Sequence, residues 1–188
     1  GEVVEASTTM FVVQCHELYN TPDLGSLVRI GDIETIYGIV AEVSTQSLDP
    51  GRRAMVMGRE EDSVEAVYEQ NPQLARLLST EFHAIVVAHR RDNQVNQFIA
   101  PVPPRIHDIA YTCDGSELLS VFPSLELLPT LLSSPIGSPD DITAAFLRRL
   151  TLEHSNPEKI LVEAGRELAY HLSNQFTRLN GILRRLSS

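Results

Sequence analysis

Apolar and polar positions change their spacing for good near residue 114, after one short helical interruption in the first half. Up to Cys113 the apolar residues come in short β-branched blocks separated by turn residues; beyond Gly115 they recur every three or four positions. The first pattern predicts strands and the second helices. Residues 2–18, EVVEASTTMFVVQCHEL, are rich in Val, Thr and Phe and hold no Gly or Pro. They predict one long strand, or two joined by a bulge. Asn20-Thr21-Pro22-Asp23 breaks that run, and residues 24–30 and 35–43 predict two strands around a Gly31-Asp32 turn. Gly25 and Gly38 interrupt them, as happens where a sheet bends sharply to close a small barrel. After the turn signal Asp49-Pro50-Gly51, Val64, Val67, Tyr68, Leu74, Leu77 and Leu78 fall at helical spacing around Asn71-Pro72. Two short helices are therefore expected as an insertion over residues 61–79. Strands resume at 81–89, 94–100 and, after the stiff Pro101-Val102-Pro103-Pro104 run, 106–113, giving six or seven in all.

The second half reads differently. Residues 118–121 and 125–132 predict short helical or extended connectors, broken by Pro123, Pro129 and Pro135, and SSPIGSP at 133–139 predicts a linker. Residues 140–153 predict a helix with Ser138 or Asp140 near its N-cap and Ile142, Ala145, Phe146 and Leu150 on one face. Ser155-x-x-Glu158 has the form of a capping box and predicts the start of one long helix over 156–186. Its apolar stripe runs through Leu161, Ala164, Leu168, Leu172, Phe176, Leu179, Ile182, Leu183 and Leu186. A fourteen-residue helix is about 21 Å long and a thirty-residue one about 45 Å, so the first can cover only half of the second. The remainder must meet the chain's own strands and connectors, or another chain. Leu168, Leu172, Phe176, Leu179, Ile182, Leu183 and Leu186 are thus the candidate interaction surface, at a spacing that permits coiled-coil packing.

The predicted fold is α+β: a small closed Greek-key-like β-barrel over 1–113 with a short helical insertion, then a helical region over 114–188 forming a C-terminal hairpin.

Charge narrows the choice of partner. Of 188 residues, 43% are apolar, and the formal charge is −10. Residues 1–113 hold eight arginines against sixteen acids, whereas 114–188 hold seven basic residues against nine. An acidic barrel repels phosphate backbones, which argues against nucleic acid as the partner. Lys159 is the single lysine beside fourteen arginines, and no Gly-x-x-x-x-Gly-Lys-Ser/Thr string contains it, so P-loop nucleotide chemistry is excluded. Cys15 and Cys113 lie inside apolar runs, as suits buried reduced thiols; a Cys15–Cys113 disulfide is the alternative. No run of eighteen apolar residues and no signal-peptide pattern is present, so the expectation is a cytoplasmic protein without a membrane partner.

Catalytic candidates are few. Cys15 and His16 are neighbours on a strand and point to opposite faces, so they cannot form a nucleophile–base pair. His83 and His89 are six apart on one predicted strand, sharing a face but separated by roughly 20 Å, too far for a common metal. His107-Asp108 reads as a turn, with a catalytic dyad as the sharper alternative. Glu60-Glu61-Asp62 reads as solvated acids before a helix, with a cation site as the alternative, and Arg52-Arg53 and Arg90-Arg91 as turn charges able to meet an anion or an acidic partner. No Gly-x-Ser-x-Gly, His-Glu-x-x-His or Gly-x-Gly-x-x-Gly string occurs. The expectation is a protein that is not an enzyme and carries no cofactor or metal.

The opening Gly1-Glu2-Val3-Val4, the run Leu24-Gly25-Ser26-Leu27-Val28-Arg29-Ile30 and the glycine-centred Ile36-Tyr37-Gly38-Ile39-Val40-Ala41-Glu42-Val43 together resemble the HAS-barrel. That domain is shared by HerA-type DNA-translocating ATPases and rotary ATP synthase subunits, and the resemblance covers residues 1–113. In that family the barrel is non-catalytic, helps assemble the ring and, in HerA-type proteins, offers a docking surface. This chain departs from the family where a nucleotide-binding domain should follow and helices follow instead. The resemblance implies an assembly or docking module, an adaptor or oligomerisation protein whose partner is a second copy or another protein, including a separately encoded ATPase. A binding barrel for a small ligand or single-stranded nucleic acid is the alternative, and a hydrolase built around His107-Asp108 is a third reading.

Overall fold

The computed structural model describes residues 1–49, 51, 53–57 and 61–186. Pro50, Arg52 and Glu60 lie outside them. The predicted first strand is instead a hairpin, β1 (Glu2–Ala6) and β2 (Met10–Gln14). A serine makes the difference: Ser7 N–H donates to the Met10 carbonyl at 2.8 Å, and Ser7 Oγ accepts from the N–H groups of Met10 and Thr9. A hydroxyl that serves turn donors in this way competes with a continuous strand.

β3 (Leu27–Ile30) and β4 (Thr35–Ser47) follow as predicted, β4 running four residues further. The insertion holds α1 (Val64–Gln70), capped by the Ser63 hydroxyl, and a single turn α2 (Leu74–Leu77). Next come β5 (Leu78–Arg91), β6 (Gln94–Asn96) and β7 (Ala110–Thr112). The last two are shorter than predicted. Prolines remove ladder donors between them, and Asp108 Oδ2 accepts from the Arg105 N–H at 2.8 Å to close a turn that puts His107 at φ 72°.

The strands pair antiparallel in the order β1-β2-β5-β4-β3-β7, with β6 added beside β5. Two bulges bend the β4–β5 ladder, leaving Val87 and Ala41 as the extra residues. Bulges sharpen twist and bend a strand, and the sheet curls into a half-barrel. Its first and last strands approach each other: Val3 N–H donates to the Asp108 carbonyl at 2.9 Å, His107 N–H to the Val3 carbonyl at 2.8 Å and Ala110 N–H to the Gly1 carbonyl at 3.1 Å.

Apolar side chains fill both sides of the curl. Val3, Phe11, Val28, Val40, Phe82 and Val86 pack inside it. Tyr37, Ile39, Ile85 and Val87 face outward into a larger core built with the helices. These are α3 (Gly115–Val121), α4 (Leu128–Leu132), α5 (Pro139–Glu153), α6 (Pro157–His171) and α7 (Phe176–Leu186). One apolar layer thus contains residues from both sides of position 113. The fold is α+β, a curled antiparallel sheet with a C-terminal layer of helices.

Three expectations for the second half are corrected. SSPIGSP is packed rather than a free linker: Gly137 adopts φ +62° so close to β4 that a Cβ there would overlap the Ala41 carbonyl oxygen. Asn156 caps α6 in place of Ser155, its side chain accepting from the Lys159 N–H at 3.1 Å. The single helix over 156–186 is two helices. Exposed Ser173, Asn174 and Gln175 separate them, and such side chains compete for backbone groups and favour termini over helix interiors. The break turns α7 back onto α5, so the expected hairpin becomes a layer centred on α5. Arg178 fastens it, donating from Nε to Asp140 Oδ1 and from Nη2 to the Leu132 carbonyl, each at 2.6 Å.

Candidate functional site

The bulge at Val87 determines which histidine enters the curl. Phe82, Ala84 and Val86 point inward, but Val87 and Ala88 both lie on the outer side. The alternation is therefore reset, and His89 falls inside, opposite Ile36 in the ladder. His83 keeps the outer face. The two histidines do not share a face as unbroken alternation predicts, because one extra residue reverses every side chain beyond it.

His89 is 7% exposed. Its Nδ1 lies 3.2 Å from the Phe98 carbonyl and its ring meets that of Phe98 edge-on at 5.0 Å. A carbonyl only accepts, so Nδ1 carries the proton in that bond. Nε2 has no hydrogen-bond partner among the described residues. His89 belongs to the lining of a cavity of about 510 Å³ at one mouth of the curl, with Ile30, Ile36, Ala100 and the Pro101–Pro104 run as apolar walls and Glu34, Arg90, Arg91, Arg105 and Asp108 as charged members. Chain neighbours of these lining residues leave large apolar side chains in solvent: Ile33 is 87% exposed, Phe98 61%, and Ile106 50%, while Val102 in the wall itself is 61% exposed. Arg91 Nε is 3.6 Å from Glu34, but the Arg105 guanidinium has no partner among the described residues.

The polar candidates from sequence sit in structural contacts. His107 and Asp108 do not form a dyad: His107 Nδ1 is 3.2 Å from Glu2 Oε2, while the Asp108 carboxylate closes the 105–108 turn. His16 Nε2 reaches the other Glu2 oxygen at 3.1 Å. Hydrogen bonds from His107 and then His16 hold the Glu2 carboxyl below its ordinary range. Both histidines are largely exposed, and the group ties β1 to the segments after β2 and before β7. Cys15 and Cys113 are unlinked. Burial pushes both thiols up, Cys113 far more, which makes each a poor nucleophile. Tyr37 is pushed up to about 12, chiefly by burial. It donates to Glu117 Oε1 at 3.2 Å, and Arg29 joins Glu117 at 3.5 Å and Asp32 at 2.7 Å, pinning α3 to the sheet. Arg90 lies 5.3 Å over the Tyr37 ring rather than free in a turn. Glu61 and Asp62 precede the Ser63 cap of α1.

The predicted interaction stripe faces inward. Leu168, Leu172 and Ile182 are buried, and Leu179, Leu183 and Leu186 pack half-buried against the same core. Phe176 alone of the seven stays exposed, at 70%. The fold of α7 onto α5 covers the surface that a straight helix would have offered.

Sequence reasoning misses the mouth cavity. Its one legible trace is the Pro101–Pro104 run, which reads as a stiffener; the reset of alternation at Val86-Val87-Ala88 leaves no mark in three consecutive apolar residues. Among the described residues no group of three or more His, Cys, Asp and Glu side chains is placed to hold a metal ion, and no helix is long and apolar enough to cross a membrane. No protein-family model matches the chain, and no curated protein sequence matches it.

Proposed function

We propose that the chain is a non-catalytic docking and assembly module whose half-barrel closes as a small Greek-key-like barrel and receives a segment of another protein at its mouth. Three backbone hydrogen bonds between residues 1–3 and residues 107–110 support closure, since they join the two ends of the strand order. The observation that carries docking is the set of large apolar side chains left in water around the 510 Å³ mouth. Grouped exposure of this kind marks interaction surfaces. Arg105, unpartnered among the described residues beside that mouth, suits a partner segment that places an apolar side chain in the mouth and a carboxylate at the rim. The resemblance to HAS-barrels supports an ATPase as the partner class.

The test is co-expression with a HerA-type ATPase and affinity purification of the complex. Wild type retains the ATPase, V102D/I106D loses it, and F176D, altered away from the mouth, keeps it. Equal retention by V102D/I106D removes the mouth as the docking surface, and no retention by wild type removes the ATPase as partner. The unpartnered Nε2 of His89 favours a second reading, a small polar ligand, and a native mass spectrum showing a stoichiometric adduct lost in H89F would establish it.

A further inference from the structure

Helix α6 turns Ile160, Ala164 and Leu168 into the core and leaves its opposite side uncovered. That side carries Lys159, Val162, Glu163, Arg166 and Tyr170, with Val162 54% and Tyr170 77% exposed. The spacing of Lys159 to Glu163, and of Glu163 to Arg166, allows ion pairs within the helix. Yet none of these three charges has an ion-pair partner among the described residues. Tyr170 meets the ring of His171 edge-on at 5.1 Å. Lys159, Val162, Glu163 and Arg166 border a shallow groove of about 490 Å³ on the outside of the helix.

This face is self-complementary when laid against a copy running in the opposite direction. Positions 159 and 170 are centred on the point between 164 and 165, and so are 163 and 166. A twofold axis through that point brings Lys159 of each copy to Tyr170 of the other, and Glu163 of each copy to Arg166 of the other. Each apposition is favourable, the first as a cation over an aromatic face and the second as an ion pair, and twofold symmetry makes each occur twice. We propose that a second copy of this chain is the partner of α6, docked antiparallel about the midpoint of residues 164 and 165 on the outer face, with the Tyr170 ring seated in the opposite groove. This surface lies on the helical layer, apart from the sheet mouth, and the proposal does not rest on the docking reading.

The test is sedimentation of the full chain over a concentration series. Wild type shows a concentration-dependent monomer–dimer equilibrium. E163R alone and R166E alone each place like charges at both contacts and weaken self-association by about tenfold or more. An equimolar mixture of the two variants restores a dimer, because in the mixed pair position 163 of either copy faces a charge of opposite sign at position 166 of the other. Neither side chain is in the core, so at a concentration where wild type is monomeric the thermal unfolding of each variant matches wild type and separates lost association from lost folding. A wild type that stays monomeric throughout, a dimer indifferent to either reversal, or variants that stay apart on mixing would overturn the proposal. The V102D/I106D variant keeps the dimer, so failure here and failure of the docking reading are distinguishable.

Discussion

Gly38 and Phe11 form a pair whose sizes are set against each other. A Cβ on Gly38 would lie 2.7 Å from both Cε1 and Cζ of the Phe11 ring and 3.0 Å from Ala84 Cβ. The ring has no exposed surface and the glycine sits in the bulged part of the ladder, so the ring cannot swing aside without disturbing the interior of the curl. Overpacking of this kind costs about 1–3 kcal/mol, and G38A should lose about 2 kcal/mol. F11L alone should cost roughly 1–2 kcal/mol through lost contact and a small void. Combining them should place the new methyl where ring atoms were, so the double variant loses at least about 1 kcal/mol less than the sum of the singles. Urea unfolding followed by far-ultraviolet circular dichroism measures this directly: with a slope of about 2 kcal/mol per molar, 2 kcal/mol shifts the midpoint by about 1 M. Additivity of the two substitutions within about 0.5 kcal/mol would refute the direct conflict between ring and methyl.

Three further outcomes follow from other contacts. R178A should lower stability by about 1–3 kcal/mol in the same assay, since it leaves Asp140 and the Leu132 carbonyl without their donor; an unchanged midpoint would mean that α7 is held by its apolar face alone. Ser138 and then Arg185 hold the Asp141 carboxyl below its ordinary range. A depressed folded-state value adds stability above the unfolded value and loses it as pH falls through the folded one, so the urea midpoint should drop below about pH 4, and D141N should flatten that drop; identical slopes would exclude Asp141 as a contributor. Cys113, buried and with its thiol pushed up, should resist iodoacetamide in the folded protein and react only on unfolding, as read by mass spectrometry; labelling at the unfolded rate would contradict its burial.

The parts of the fold legible in the sequence are those that local chemistry decides. Strand and helix regions, the inserted helices before β5 and the start of α5 follow from period and punctuation. What stays hidden depends on contacts between distant residues. Ser7 could end a strand or decorate one, and only the hairpin partner selects the turn. Val86-Val87-Ala88 gives the same apolar reading with or without a bulge, yet the bulge moves His89 from one face to the other. The stripe through Leu168, Leu172 and Ile182 does need a partner surface, as its spacing implies. Exposed Ser173-Asn174-Gln175 interrupts it too briefly to reveal that the partner is α5 of the same chain.

The outer face of the sheet depends on residues that lie entirely downstream of it. Tyr37, Ile39, Ile85 and Val87 are covered by helices that begin at Gly115. At about 5–20 residues per second, synthesis of residues 114–188 takes roughly 4–15 s. During that interval the emerging strands can pair while one side remains bare and sticky. The strands are therefore most vulnerable to misassociation while residues 114–188 are being made, and pauses in translation downstream of position 113 would extend the exposure. A helix-coding segment here acts on the nascent strands as a delayed cover, so its speed of arrival bears on yield as directly as its fit bears on stability.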